Sequence, residues 1–193
     1  SFSPVMDINN NPDNPIINFR SYSDNPKEVA RFGAAFIKGA EDNGLITCAK
    51  HFPGHGNTAT DSHSTLPTIQ GTRSQLDTME LYPFRIALNE NIEMMMVGHI
   101  AMPGLDKHGR PASHSYIVTS DLLRNELGFD GIIITDGMEM GALSKNISNE
   151  ESAIRAIEAG ADILLLPIDV HNAIESIKNA IIEGRLSEER INE

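Results

Sequence analysis

The chain has 193 residues, enough for one domain with a sizeable buried core, and 40% of them are apolar. Its 15 Lys and Arg stand against 27 Asp and Glu, a formal net charge of -12, and so acidic a surface is ill suited to gripping nucleic-acid phosphates or anionic membranes. A single cysteine, Cys48, excludes an internal disulfide and a multi-cysteine metal site, and no run approaches the roughly 18 apolar residues of a membrane-spanning helix.

The opening "SFSPVMDINN" reads as a strand already under way (2–8) with no initiator Met. A longer protein whose N-terminus is missing here is therefore expected, and localisation is not legible. A helix follows over 25–43, where Val29, Phe32, Phe36, Ile37 and Ala40 recur near the helical period, with Asp24 as N-cap and Gly44 closing it. "LITCAKHF" (45–52) is the next strand, and its apolar run predicts a buried, inert Cys48 thiol. From Thr72 to Asn89 a helix is expected to kink or restart at Pro83. Strand "EMMMVGHI" (93–100), helix 119–128, strand "GIIITD" (131–136), helix 149–160, strand "ADILLLP" (161–167) and helix 170–184 complete the pattern, and "SEERINE" opens one more helix.

The strand runs are apolar on both faces, as strands of a buried parallel sheet must be. Strand, loop and helix in alternation predict an α/β fold, either a doubly wound sheet or a (β/α) barrel. Polar residues gather where strands end: Asp7, Lys50, His51, His99 and Asp136. In a barrel these converge on the carboxyl rim, where such enzymes do their chemistry. The strand runs are too few to close eight strands, which typically takes about 250 residues. The expectation is a (β/α)8-type barrel present in part, lacking its first βα units, with residues 1–193 as one catalytic domain.

The stretch "KHFPGHGNTATDSHSTLP" (50–67) concentrates groups that bind or move protons. Asp61 and His63, two apart in extended backbone, leave on the same side, so a carboxylate can hold one imidazole nitrogen and leave the other for a substrate. Lys50 and His51 line one site only if the backbone turns there, and "FPGHG" predicts that turn. Asp136 ends a fully apolar strand before Gly137; a helix cap or turn role is the competing reading. Arg20, by itself, is an ordinary loop arginine. Five of the seven histidines fall between 51 and 108, but none has H-x-H, H-E-x-x-H or Cys/His metal spacing.

Taken in order, "FSPVMDIN", "RSYSDNP", "KHFPGHGNTATDSH", "LYPF", "GHI" with "RPAS", "LRNELGFDGIIITDGMEM" and "AGADILL" resemble glycoside hydrolase family 3 in its β-N-acetylglucosaminidase branch. The resemblance covers essentially the whole chain. It implies that Asp136 is the catalytic nucleophile, His63 the general acid/base and Asp61 its dyad partner. It further implies that Arg20, Lys50 and His51 hold sugar hydroxyls, that no cofactor is needed, and that the partner is a GlcNAc-containing oligosaccharide or muropeptide. A further C-terminal domain in the parent protein is compatible with it. Two departures stand out: the chain begins at what matches the family's third barrel strand, so a further substrate-binding aspartate lies outside it, and Gly137 stands where many relatives carry Asp or Trp. Competing expectations are a β-glucosidase of the same family, a metal-dependent barrel hydrolase using His51, His99 and Asp136, and an inactive fragment.

Overall fold

The computed structural model describes residues 1–62, 65–145 and 147–193. Its centre is a parallel sheet of β1 (Cys48–Phe52), β2 (Met94–Val97) and β3 (Ile132–Thr135), in that order. The outer two predicted strands are shorter than expected and survive as single parallel bridges, Val5 to Lys50 and Ile163 to Ile134. In the first, Pro4 has no N–H to offer a ladder. In the second, side chains replace ladder groups: Leu165 N–H donates to the Thr135 hydroxyl (3.0 Å) and Ile133 N–H to the Asp162 carboxylate (2.7 Å). Even so, the spatial order is segment 3–6, β1, β2, β3, segment 161–165, identical to the chain order. A doubly wound sheet reverses its order at a switch point; this one keeps a single direction of winding, as part of a barrel does.

The two sheet faces differ. Ala49, Met95, Val97 and Ile133 face outward into the main core, where Ile37, Leu76, Phe84 and Leu123 from the surrounding helices meet them. Phe52 and Phe84, both fully buried, pack edge to face at 5.4 Å, and burying each such ring stabilises the fold by about 1.5–3 kcal/mol. Cys48, Met96 and Ile134 form a small separate cluster on the inner face with Met94 and Leu165 against it.

The helices are α1 (Pro26–Glu41), α2 (Arg73–Thr78), α3 (Tyr82–Asn89), α4 (Gly141–Ser144), α5 (Asn149–Ala159), α6 (Val170–Ile182) and α7 (Glu188–Asn192). Asn25, not Asp24, caps α1 by accepting from Lys27 N–H, because Pro26 takes the first helical position where a missing N–H costs nothing. Pro83 restarts rather than kinks its segment: α2 ends at Thr78 and α3 begins at Tyr82. The segment expected as helix 119–128 runs Ile117–Glu126 with π-type winding, and Ser115 at its head accepts from Val118 and Thr119 N–H.

Candidate active site

The carboxyl end of β1 is built around a fully buried carboxylate. Asp7 accepts from the backbone N–H of His51 (3.2 Å) and of His55 (2.7 Å), and its Oδ2 lies 2.7 Å from His51 Nδ1. Burial alone would raise the Asp7 pKa, but the electrostatics and hydrogen bonds of His51 outweigh it and hold the group below the usual carboxylate range. An ionised carboxylate only accepts, so His51 Nδ1 carries a proton, and Nε2 lies 3.5 Å from Arg20 Nη2. The Lys50–His51 peptide is cis. One extra residue in β1 between the pairs Ala49↔Met95 and Phe52↔Val97 interrupts the alternation of the strand. With the alternation broken, Lys50 and His51 line the same cavity, about 180 Å³ in volume, together with Arg20, His55, Ser62 and Asp136.

The loop that follows β1 is fastened from beneath. Asn14 Nδ2 donates to the carbonyls of His55 (2.9 Å) and Gly56 (2.8 Å). Gly56 lies so close to the 8–9 backbone that a Cβ would stand 1.6 Å from the Ile8 carbonyl oxygen, and only glycine fits. The buried His55 ring spans the loop, with Nδ1 3.0 Å from Thr58 Oγ1 and Nε2 2.9 Å from Ser62 Oγ. Burial lowers the His55 pKa, which keeps the ring neutral. Asp61 is partly buried one residue before Ser62. His63, the expected acid/base, lies outside the described residues.

Asp136 leaves the end of β3 with its N–H donating to Val97 O (2.9 Å) and its Oδ1 accepting from Gly137 N–H (2.8 Å). Burial works to raise its pKa, yet the electrostatic influence of His51 and the Gly137 N–H carry it below the ordinary range. The carboxylate is therefore ionised at neutral pH. Lys50, half-buried, is pushed down by burial and by Arg20, against the opposing pull of Asp136. Both nitrogens of the fully buried His99 are engaged, Nδ1 with Ser113 Oγ (2.7 Å) and Nε2 with Gly137 O (3.0 Å). Two of the three ligands expected for a metal-dependent barrel thus spend nitrogens elsewhere: His51 its Nδ1 on Asp7, His99 both of its own.

The structure brings Arg20, Lys50, His51 and Asp136 to one cavity and sets Asp61 on the loop beside it. His55 and Ser62 line the same cavity, and Asp7 and Asn14 brace it from behind; of these four, only Asp7 was placed at the rim by the sequence, and none was given a role. Asp7 carried a usable signal, a carboxylate closing an apolar strand, but its partner is 44 residues away. A larger cavity, about 770 Å³, opens at the other end of the strands beside Gly131, Ile132 and Asp162. Its arginines are largely spent: Asp162 receives Arg124 and Arg190, while Arg190 Nη2 donates to Ala161 O (2.7 Å).

Fold and site together define a barrel-type α/β protein whose carboxylates and imidazoles converge at the carboxyl ends of its strands, the arrangement of (β/α)8 enzymes. The family model "Glycosyl hydrolase family 3 N terminal domain" matches residues 1–193, and the chain belongs to that family. It is 38% identical to beta-hexosaminidase A of Pseudoalteromonas piscicida, an alignment covering 89% of this chain and 31% of the relative. It is 39% identical to the beta-hexosaminidase of Neisseria meningitidis serogroup C (strain 053442), covering 86% of this chain and 45% of the relative. The solved structure of a glycoside hydrolase family 3 beta-N-acetylglucosaminidase from Paenibacillus sp. str. FPU-7 superposes with a TM-score of 0.96 at 43% identity, over 99% of this chain and 37% of that one. The chain thus spans less than half the length of each of these relatives.

Proposed function

We propose that this chain carries the catalytic groups of a retaining exo-β-N-acetylglucosaminidase that releases terminal GlcNAc from muropeptides or chito-oligosaccharides. The observation that carries the reading is an ionised, half-shielded Asp136 in a small cavity shared with Arg20, Lys50 and His51. That cavity is below the roughly 300–1,000 Å³ of sites that enclose larger ligands, which suits one sugar ring presented end-on. The names of the β-hexosaminidase relatives and of the β-N-acetylglucosaminidase structure point to the same substrate class.

In this reading Arg20, Lys50 and His51 hold hydroxyls of the non-reducing GlcNAc. Fixing the ring this way supplies part of the barrier reduction as orientation already in place before reaction. His63, polarised by Asp61, protonates the glycosidic oxygen as the anomeric C–O bond breaks and the Asp136 carboxylate forms a new bond to the anomeric carbon. His63, now neutral, takes a proton from water, whose oxygen attacks the same carbon and frees Asp136. An unperturbed imidazole titrates near pH ~6.5, so one ring serves both steps close to neutral pH.

The test uses the full-length protein on nitrophenyl β-N-acetylglucosaminide and nitrophenyl β-glucoside. The GlcNAc substrate is expected to be preferred, with kcat for Asp136→Ala lower by roughly a thousandfold or more. His63→Ala should lose roughly 10²–10⁴-fold, least with the most acidic phenol leaving group. A preference for the glucoside, or a nearly silent His63→Ala, overturns the reading.

A further inference from the structure

The motifs "GHI" and "RPAS" are left unexplained by sugar binding or proton transfer, yet His99 of the first and Ser113 of the second meet beneath the nucleophile. Ser113 and His99 are both buried, 1% and 0% exposed, and their Oγ and Nδ1 lie 2.7 Å apart. His99 Nε2 lies 3.0 Å from the Gly137 carbonyl. A carbonyl oxygen only accepts, so in this contact Nε2 must carry the proton. Nδ1 of the neutral ring is then an acceptor, and the Ser113 hydroxyl donates to it. Gly137 is held at both of its backbone polar groups: its N–H donates to Asp136 Oδ1 (2.8 Å), and its carbonyl accepts from His99 and from Met140 N–H (3.1 Å). Among the described residues, Asp136 Oδ2 takes no hydrogen bond, so one carboxylate oxygen is tied and the other is left to attack.

We infer that Ser113 and His99 are positioning residues for Asp136: Ser113 holds the His99 ring in place by donating to Nδ1, and His99 fixes the carbonyl of Gly137, the residue whose N–H orients the carboxylate. The inference rests on the reading of Asp136 as nucleophile. Without Ser113 the buried Nδ1 lone pair has no donor, and the ring is free to tilt away from the Gly137 carbonyl. A displacement of the nucleophile by as little as about 1 Å costs on the order of a hundredfold in rate.

In the full-length protein, Ser113→Ala is expected to lower kcat on nitrophenyl β-N-acetylglucosaminide roughly tenfold to a hundredfold, with KM within about twofold. Ser113→Thr, which keeps the hydroxyl, should restore most of the rate. In His99→Gln, whose amide can donate to Gly137 without the ring that Ser113 holds, Ser113→Ala should add little. Imidazole ¹⁵N NMR of the wild type should show His99 protonated at Nε2 alone, a readout that stands even if Ser113→Ala fails to fold. A Nδ1–H tautomer, or Ala and Thr at 113 equal in rate, overturns the inference. Labelling of Asp136 by a fluorinated slow glycosyl substrate, read by peptide mass, separates the two claims. No label on Asp136 removes the nucleophile reading, whereas label with a fully active Ser113→Ala removes only the positioning role.

Discussion

The two ends of the sheet hold charged side chains in opposite ways. At the amino end the 770 Å³ cavity is walled by Arg124, Arg190 and Asp162, whose hydrogen bonds are spent on one another and on backbone carbonyls. At the carboxyl end the 180 Å³ cavity gathers Lys50, His51 and Asp136, each anchored by part of its hydrogen-bonding capacity or by burial and each with polar atoms still facing the space. The larger cavity is the poorer candidate for chemistry. Volume measures room for a ligand; reactivity needs groups that are held in place and not yet satisfied.

Substitutions at the two ends can break that contrast. Lys50→Ala should lower kcat/KM on the GlcNAc substrate on the order of a hundredfold, whereas Arg190→Ala should leave it within about twofold and cost roughly 1–2 kcal/mol of stability through the carbonyls of Ile157 and Ala161 that lose a donor. Comparable losses of activity from both would show that the ends are not distinct.

Asp7 sharpens the comparison because its pairing with His51 is fully buried. Its folded pKa lies below the 3.8 of an unperturbed aspartate, so on acidification the unfolded chain takes up this proton first. The stabilisation is fully present above about pH 4 and is lost as pH falls through the folded value. Asp7→Asn should cost roughly 3–5 kcal/mol at pH 7, and its gap from the wild type in urea unfolding should narrow toward pH 3. A gap that stays constant with pH would mean that the carboxylate charge is not what holds His51. The smallest effect is expected at Cys48, whose thiol burial pushes up to about 12. It should resist alkylation at pH 8 in the native protein and react once urea unfolds the chain.

The parts of the fold readable from sequence were those written in short windows. The three apolar runs that became β1, β2 and β3, and the restart at Pro83, need only local pattern and the missing proline N–H. Segments 2–8 and 161–167 read as full strands because their apolar character is real. Their ladders are thinned by Pro4 and by the Thr135 and Asp162 side chains, which only the fold brings alongside. The same divide runs through the site. Asp136, Lys50, His51 and Arg20 were legible through motif resemblance, and the cavity unites them. The roles of Asp7 and His55 were not, because what defines them is a hydrogen bond to a distant partner or a ring spanning a loop, even where Asp7's place at a strand end was legible. The π-type winding of Ile117–Glu126 has no compositional signature either; its closing bond, Leu127 N–H reaching back to Leu122 O, is one the sequence does not advertise.

The buried pairing of Asp7 with His51 also bears on how the chain is made. The partners are 44 residues apart, so at synthesis rates of about 5–20 residues per second Asp7 is made roughly two to nine seconds before His51. During that interval the nascent segment has a carboxylate without its imidazole and an apolar run without the neighbour that covers it. Slow codons between Asn14 and Cys48 would lengthen that exposure. Chaperone dependence of this protein should therefore respond to translation speed across α1 more than to speed anywhere after β1 has emerged.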